Sequence, residues 1–176
     1  MILRVEVNKM NTVNFNQFLC RNVSDNGENI NGVFDTLVCE KGTNTIHICV
    51  FLTQILKESN SDYDKYYYRI VLRQFGNSQE DMKSYRVDSG IFWNEEHSDL
   101  DSDVKTVETK HKTTRAGSSG KLFIEYEHKF EVQGNHEVDL YVKRMEDTQT
   151  KEDCESLKVK ELDLVSISPF QVIFSN

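Results

Sequence analysis

Residues 121–132 constrain the fold more than any other stretch of this chain. Leu122, Ile124, Tyr126, His128, Phe130 and Val132 take every second position, and Lys121, Glu125, Glu127, Lys129 and Glu131 fall between them. Successive side chains of a strand leave opposite faces, so a period of two makes one face apolar and the other polar. The apolar face needs a second layer to cover it. Composition agrees with strands. The chain has one alanine, Ala116, and one proline, Pro169, against many Val, Ile and Thr. Alanine is the best helix former, and β-branched residues fit a pleated surface. At 176 residues the length suits a single domain, which buries roughly two thirds of its unfolded surface without staples.

Further strands follow from the same reading. Leu3, Val5 and Val7 alternate with Arg4, Glu6 and Asn8, whereas residues 8–16 are rich in Asn and read as irregular. Residues 18–23 form an expected strand, Asn26-Gly27 a hairpin turn, and residues 29–39 the return strand. Residues 46–56 are apolar on both faces, the mark of a central strand. Residues 66–75 are aromatic and β-branched. Tyr66 and Tyr68 share one face and Tyr67 takes the other; core packing claims one of the two faces, and the other has the makings of a sticky patch. Residues 82–93 give one strand, bulged at Asp88-Ser89-Gly90. A short strand is expected at 104–109. Gly134-Asn135 reads as a two-residue hairpin turn before Val138, Leu140 and Val142. Residues 157–164 alternate moderately. The last strand, 165–174, contains Pro169, which points to an edge, a bulge or a break. One short helical turn is expected within 60–65 or 146–156. The sum is an all-β, two-sheet antiparallel β-sandwich of about nine strands, immunoglobulin-like or similar. It is a single domain over 1–176, with a charged, flexible insertion at about 94–120.

Several function classes are disfavoured. The net charge is −8, so direct nucleic-acid binding, which wants a basic field, is not expected. No apolar run approaches the roughly 18 residues that span a bilayer, so no membrane partner is expected. Residues 1–7 alternate instead of forming a signal-peptide core, and a cytoplasmic location is expected. Cys20, Cys39, Cys49 and Cys154 are expected as free buried thiols.

Two blocks carry a family resemblance. Cys20-Arg21-Asn22-Val23, Asn26-Gly27 and Ile30-Asn31-Gly32-Val33-Phe34-Asp35 form the first. The second runs from Phe130 through Gly134-Asn135-His136 to Val142, with Ser168-Pro169-Phe170-Gln171-Val172 closing the chain. Together they resemble an uncharacterised family of small bacterial single-domain β-sandwich proteins. The resemblance covers about half the chain, and residues 94–120 depart from it. It implies the sandwich fold and no established activity.

Candidate chemistry is sparse. His47 and Cys49 share a strand face, and a hairpin about Gly42-Thr43 would set Cys39 opposite His47. Cys39, His47 and Cys49 would begin a zinc site. The Cys-x-x-Cys knuckle and a fourth ligand are lacking, and Ile46, Ile48 and Val50 favour plain core. Asp99, Asp101 and Asp103 have the opening rhythm of a calcium loop. Val104 stands where that loop needs Gly, and Lys110 where it needs Glu. Lys110-His111-Lys112-Thr113-Thr114-Arg115 is a basic cluster that would suit a phosphate or an acidic partner, or simply balance the acidic stretch before it. Gly117-Ser118-Ser119-Gly120 reads as a linker. His128, on an apolar strand face, reads as a core histidine. No catalytic residue and no cofactor is expected.

The expectation is a non-catalytic cytosolic protein that works by contact with another protein. One alternative is an acidic inhibitor, encoded by a phage or mobile element, that covers a nucleic-acid-binding or defence protein. Another is a metal- or ligand-binding module, or an enzyme. That last class requires a cleft holding two or more of His47, His97, His111, His128 and His136 with a carboxylate.

Overall fold

The alternation found in the sequence folds into two facing sheets. The computed structural model describes residues 12–24, 30–55, 64–76, 81–92, 107–109 and 117–175. In chain order the strands are β1 (Thr12–Cys20), β2 (Asn22–Val23), β3 (Ile30–Asn31), β4 (Thr36–Cys39), β5 (Gly42–Ile55), β6 (Tyr66–Gln74), β7 (Lys83–Phe92), β8 (Val107–Thr109), β9 (Gly117–Phe130), β10 (Gly134–Arg144) and β11 (Asp163–Phe174). One sheet has the order β1-β5-β9-β8, and the other β4-β11-β10-β6-β7. β2 and β3 form a separate ribbon. The expected all-β sandwich is the fold.

The inner faces bury each other. Leu19, Ile46, Ile48, Val50, Leu122, Ile124 and Phe130 from the four-stranded sheet meet Leu37, Tyr68, Ile70, Leu72, Val138, Leu140, Val142, Phe170 and Val172 from the five-stranded sheet. Gln17 ties the layers across this core. Its amide donates to the carbonyl of Val138 at 2.8 Å and to Ser168 Oγ at 3.0 Å. His128 and His136 also lie in the core, as expected of His128. His128 sits 4.8 Å from Phe130 and 4.7 Å from Tyr85, centroid to centroid. His136 sits 5.5 Å from Phe130 and 5.4 Å from Phe170.

Turns and crossings were harder to foresee. Residues 29–39 are not one return strand. Ile30–Asn31 closes on β2, and Thr36–Cys39 runs parallel to β11 in the five-stranded sheet. That pairing departs from a purely antiparallel sandwich. The chain then passes through Gly42 into the four-stranded sheet, so β4 and β5 are no hairpin. Gly134 makes the opposite passage between β9 and β10, which also belong to different sheets. Both glycines have positive φ, 133° and 120°. That freedom serves a crossing as well as a tight turn. Residues 12–16 of the Asn-rich stretch belong to β1, because pairing with β5 from Thr12↔Ile55 to Cys20↔His47 overrides local preference, while residues 8–11 lie outside the described residues. Gly117–Gly120 is no linker: it extends β9 along the end of β5. The bulge in β7 falls at Val87, between Asp88↔Ile70 and Arg86↔Val71. The short strand β8 lies within the expected 104–109; most of the 94–120 insertion and residues 1–8 lie outside the described residues.

Pro169 sits in a strand that is interior in sheet order but has one neighbour at that point. The amide of Gln171 donates to Asp35 O at 2.8 Å, toward β4. Two residues earlier, the nitrogen of Pro169 faces the same side, before β4 begins. Its missing N–H therefore removes no ladder bond.

The outer face of β6 is apolar too, and it is covered. Tyr67 is fully buried, not a surface patch. With Val71, Tyr141 and Met145 it packs under Cys154 and Leu162. This cover is the β10–β11 connection, which carries α1 (Lys151–Glu155) and a 3-10 turn (Val159–Glu161). The expected helical turn within 146–156 is α1. Thr150 and Asp153 cap it reciprocally, with Asp153 N donating to Thr150 Oγ1 at 3.2 Å and Thr150 N to Asp153 Oδ2 at 2.9 Å. Buried Arg69 binds the other end. Its guanidinium donates to the carbonyls of Cys154 (3.2 Å), Glu155 (3.0 Å) and Leu157 (2.9 Å). It also donates to the Tyr67 hydroxyl at 3.1 Å. A cation on the carbonyls ending a helix satisfies them and complements their dipoles.

Two predictions follow from these packings. Arg69→Met should free the connection, costing about 3 kcal/mol, because hydrogen bonds to a charged group are worth roughly 1.5–3 kcal/mol each and do not add fully. Urea denaturation should report the loss, and a hydrophobic dye should bind the bared Tyr67 face. An unchanged midpoint would show that Arg69 is not the tie. Burial pushes both His128 and His136 below the ordinary histidine range. The unfolded chain then binds more protons below about pH 6.5. Stability should be full above that pH and fall on acidification, by the order of 1 kcal/mol per histidine at pH 5.5. The double variant His128→Phe and His136→Phe should flatten this slope in denaturation measured at pH 7.5 and 5.5.

Candidate binding face

The cover over the five-stranded sheet stops partway. Beyond it, among the described residues, the outer face of β10, β11 and β4 is left bare, and the alternation of those strands decides what stands there. Along β11, Ser168, Phe170 and Val172 are buried while Ile167, Pro169, Gln171 and Ile173 point outward. On β4, Leu37 and Cys39 turn inward and Val38 outward. The parallel register pairs Val38 with Ile173. Val38 is 49% exposed, Ile167 49% and Ile173 42%. The result is an outward column on β11, Ile167, Pro169, Gln171 and Ile173, apolar except at Gln171, with Val38 beside Ile173 on β4, the last strand of this sheet among the described residues.

A cleft of about 790 Å³ opens beside this column. Asp35 just before β4 and Thr36 on it border the cleft, with Phe75 just past β6, Asn135 and Glu137 on β10, and Pro169 and Gln171 on β11. Register places Asn135 beside Gln171 and Glu137 beside Pro169. Burial, then the charge of Asp139, raises the Glu137 carboxyl above its usual range, and Arg73 opposes that rise.

A polar network marks the border between covered and bare halves. Asp139 is 1% exposed. Its Oδ2 accepts from Arg73 Nε at 2.6 Å and from the Tyr141 hydroxyl at 2.9 Å. Arg73 also donates to that hydroxyl. Asp139 Oδ1 is buried without a partner among the described residues. Arg73 is thus shared between Asp139 and Glu137, whose Oε1 lies 3.9 Å from its Nε, and with Asp35 the three carboxyl groups keep the cleft and its border acidic. Such a face can hold an extended segment by apolar contact and amide hydrogen bonds.

The residues singled out in the sequence are distributed differently. Cys39 lies in the five-stranded sheet, and His47 and Cys49 lie in the other, so Cys39 is not opposite His47. Cys20 takes that place. Among the described residues no three His, Cys, Asp or Glu side chains are grouped to hold a metal. Asp99, Asp101, Asp103, His97, His111 and the cluster 110–115 fall outside the described residues. The cleft borders one histidine, His136, and its imidazole turns into the core, where Nδ1 lies 3.0 Å from the Gly134 carbonyl. The bare face itself escaped the sequence reading. Its signal was apolar residues on both faces of the last strand, with Ile173 following Val172.

No helix among the described residues is long and apolar enough to cross a membrane. No protein-family model matches the chain. No curated protein matches it either. Among solved structures it is similar to the β-glucosidase from Listeria innocua in complex with isofagomine, with a TM-score of 0.45 and 11% identity. That match covers 94% of this chain and 16% of the enzyme. The same enzyme in complex with glucose gives a TM-score of 0.43 at 11% identity, covering 92% of this chain and 16% of that one. The chain thus spans about a sixth of the length of the structures it matches.

Proposed function

We propose that this domain is a non-catalytic cytosolic module that works by binding another protein through the bare half of its five-stranded sheet. The observation that carries the reading is the exposed column Val38, Ile167 and Ile173 beside an acidic cleft. Apolar side chains clustered on one face, rimmed by polar groups, are characteristic of interaction surfaces. Single exposed apolar residues would need no such account. The edge strand β4 supports the same reading. Its odd residues bond to β11, as in Gln171 N to Asp35 O and Ser175 N to Cys39 O. The peptide groups of Thr36 and Val38 therefore face away from the sheet, ready for an added strand. Four free, buried cysteines fit a reducing compartment.

The test is affinity capture from the source cell with the wild-type domain and with a double variant, Val38→Asp and Ile173→Asp. Both sites are exposed, so each change should alter stability by no more than about 0.5 kcal/mol. At least one protein should be recovered in stoichiometric amount by the wild type and lost with the variant. Identical recovery by both, with the variant folded, would remove this face from the account.

A further inference from the structure

We propose that Cys20 and Cys49 are an oxidation site at which a disulfide closes between strands β1 and β5. This inference is independent of the binding function proposed above. The two Sγ atoms lie 3.4 Å apart. Both residues are fully buried. Register sets Cys20 opposite His47 and Phe18 opposite Cys49, so the two cysteines are diagonal neighbours on one face of the four-stranded sheet. A disulfide needs about 2.05 Å between sulfurs, a closure of roughly 1.4 Å.

The fold permits that closure at this place. Among the described residues β1 ends its sheet, with β5 beside it, and Cys20 is its last residue. On its other side Phe34 N donates to Leu19 O and Arg21 N to the carbonyls of Asn31 and Gly32, each at 3.2 Å, so closure rests on rotation of the two facing thiols with a small shift of this bonded strand end. The other thiols offer no competing pair. Cys39 belongs to the main core, and Cys154 lies beneath the cover of the five-stranded sheet.

Burial also limits the oxidant to a small hydroperoxide. The Cys20 thiolate attacks the O–O bond of hydrogen peroxide, giving a sulfenic acid at Cys20 and releasing hydroxide, which takes up the thiol proton as water. The Cys49 sulfur then attacks the Cys20 sulfur. The S–O bond breaks, and the departing hydroxide leaves as water with the proton of Cys49. Two thiols and one peroxide become one disulfide and two waters. Burial raises both thiols above the ordinary range, Cys49 well above it. The step should therefore be slow, and Cys20, the last residue of its strand, is taken as the attacking sulfur. The closed loop would span residues 20–49 and include β4, the margin of the bare face.

The experiment is peroxide treatment of the folded wild-type chain, followed by unfolding, alkylation and intact-mass analysis. The expected product has lost two hydrogens, resists alkylation at two sites and yields one cross-linked peptide containing Cys20 and Cys49. Reductant should reverse it, and the melting temperature should rise on oxidation. Cys49→Ala should instead trap a sulfenic acid at Cys20 that a dimedone reagent labels. Four alkylated cysteines after treatment, a cross-link through Cys39 or Cys154, or sulfinic acid without a cross-link would each overturn the proposal. The wild-type result decides even if the variant fails to fold.

Discussion

The guanidinium of Arg69 sets how the five-stranded sheet meets its surroundings. A strand apolar on both faces needs two covers. The facing sheet supplies one, and the connection between β10 and β11 supplies the other. That connection is short on regular structure, with a five-residue helix and one 3-10 turn. Its grip on the sheet comes from Tyr67, Val71 and Tyr141 packing beneath it and from Arg69 drawing in three carbonyls. A buried cation is costly unless its donors are satisfied. Here the oxygens of Tyr67, Cys154, Glu155 and Leu157 accept from it. The same bonds that satisfy the charge hold the cover in place.

The cover ends at a chemical border. Asp139, Arg73 and Tyr141 bond to one another where the covered half gives way to the bare one. On one side the sheet's outer residues are core. On the other they are a surface: Val38, Ile167 and Ile173, then the cleft with Asp35 and Glu137. Function, on the reading proposed here, follows from this division. One half of the face stabilises the domain, and the other remains free for a partner.

The alternation of residues 121–130 fell on β9 and its register with β5, while Val132 lies past the strand's end and is exposed; the inward sets Leu122, Ile124 and Phe130 and Val138, Leu140 and Val142 were readable from spacing alone. Sheet membership was not. Gly42 and Gly134 permit a hairpin or a crossing with the same backbone, and the choice depends on which distant strand each neighbour joins. That choice removed Cys39 from His47 and set Cys20 there instead. Tyr67 shows the same gap. Its side of the strand was evident, but its cover lies about 90 positions along the chain, a distance that periodicity does not reach. The bare face was illegible for a related reason, since exposed apolar residues become a surface only once β4 lies beside β11.

Amide hydrogen exchange of the domain, free and bound to a captured partner, tests the central claim most directly. The account predicts that binding slows exchange in residues 35–39, 135–139 and 167–174, and leaves residues 145–162 unchanged. Protection confined to residues 145–162, or to the outer face of the four-stranded sheet, with residues 35–39 and 167–174 unaltered, would contradict it.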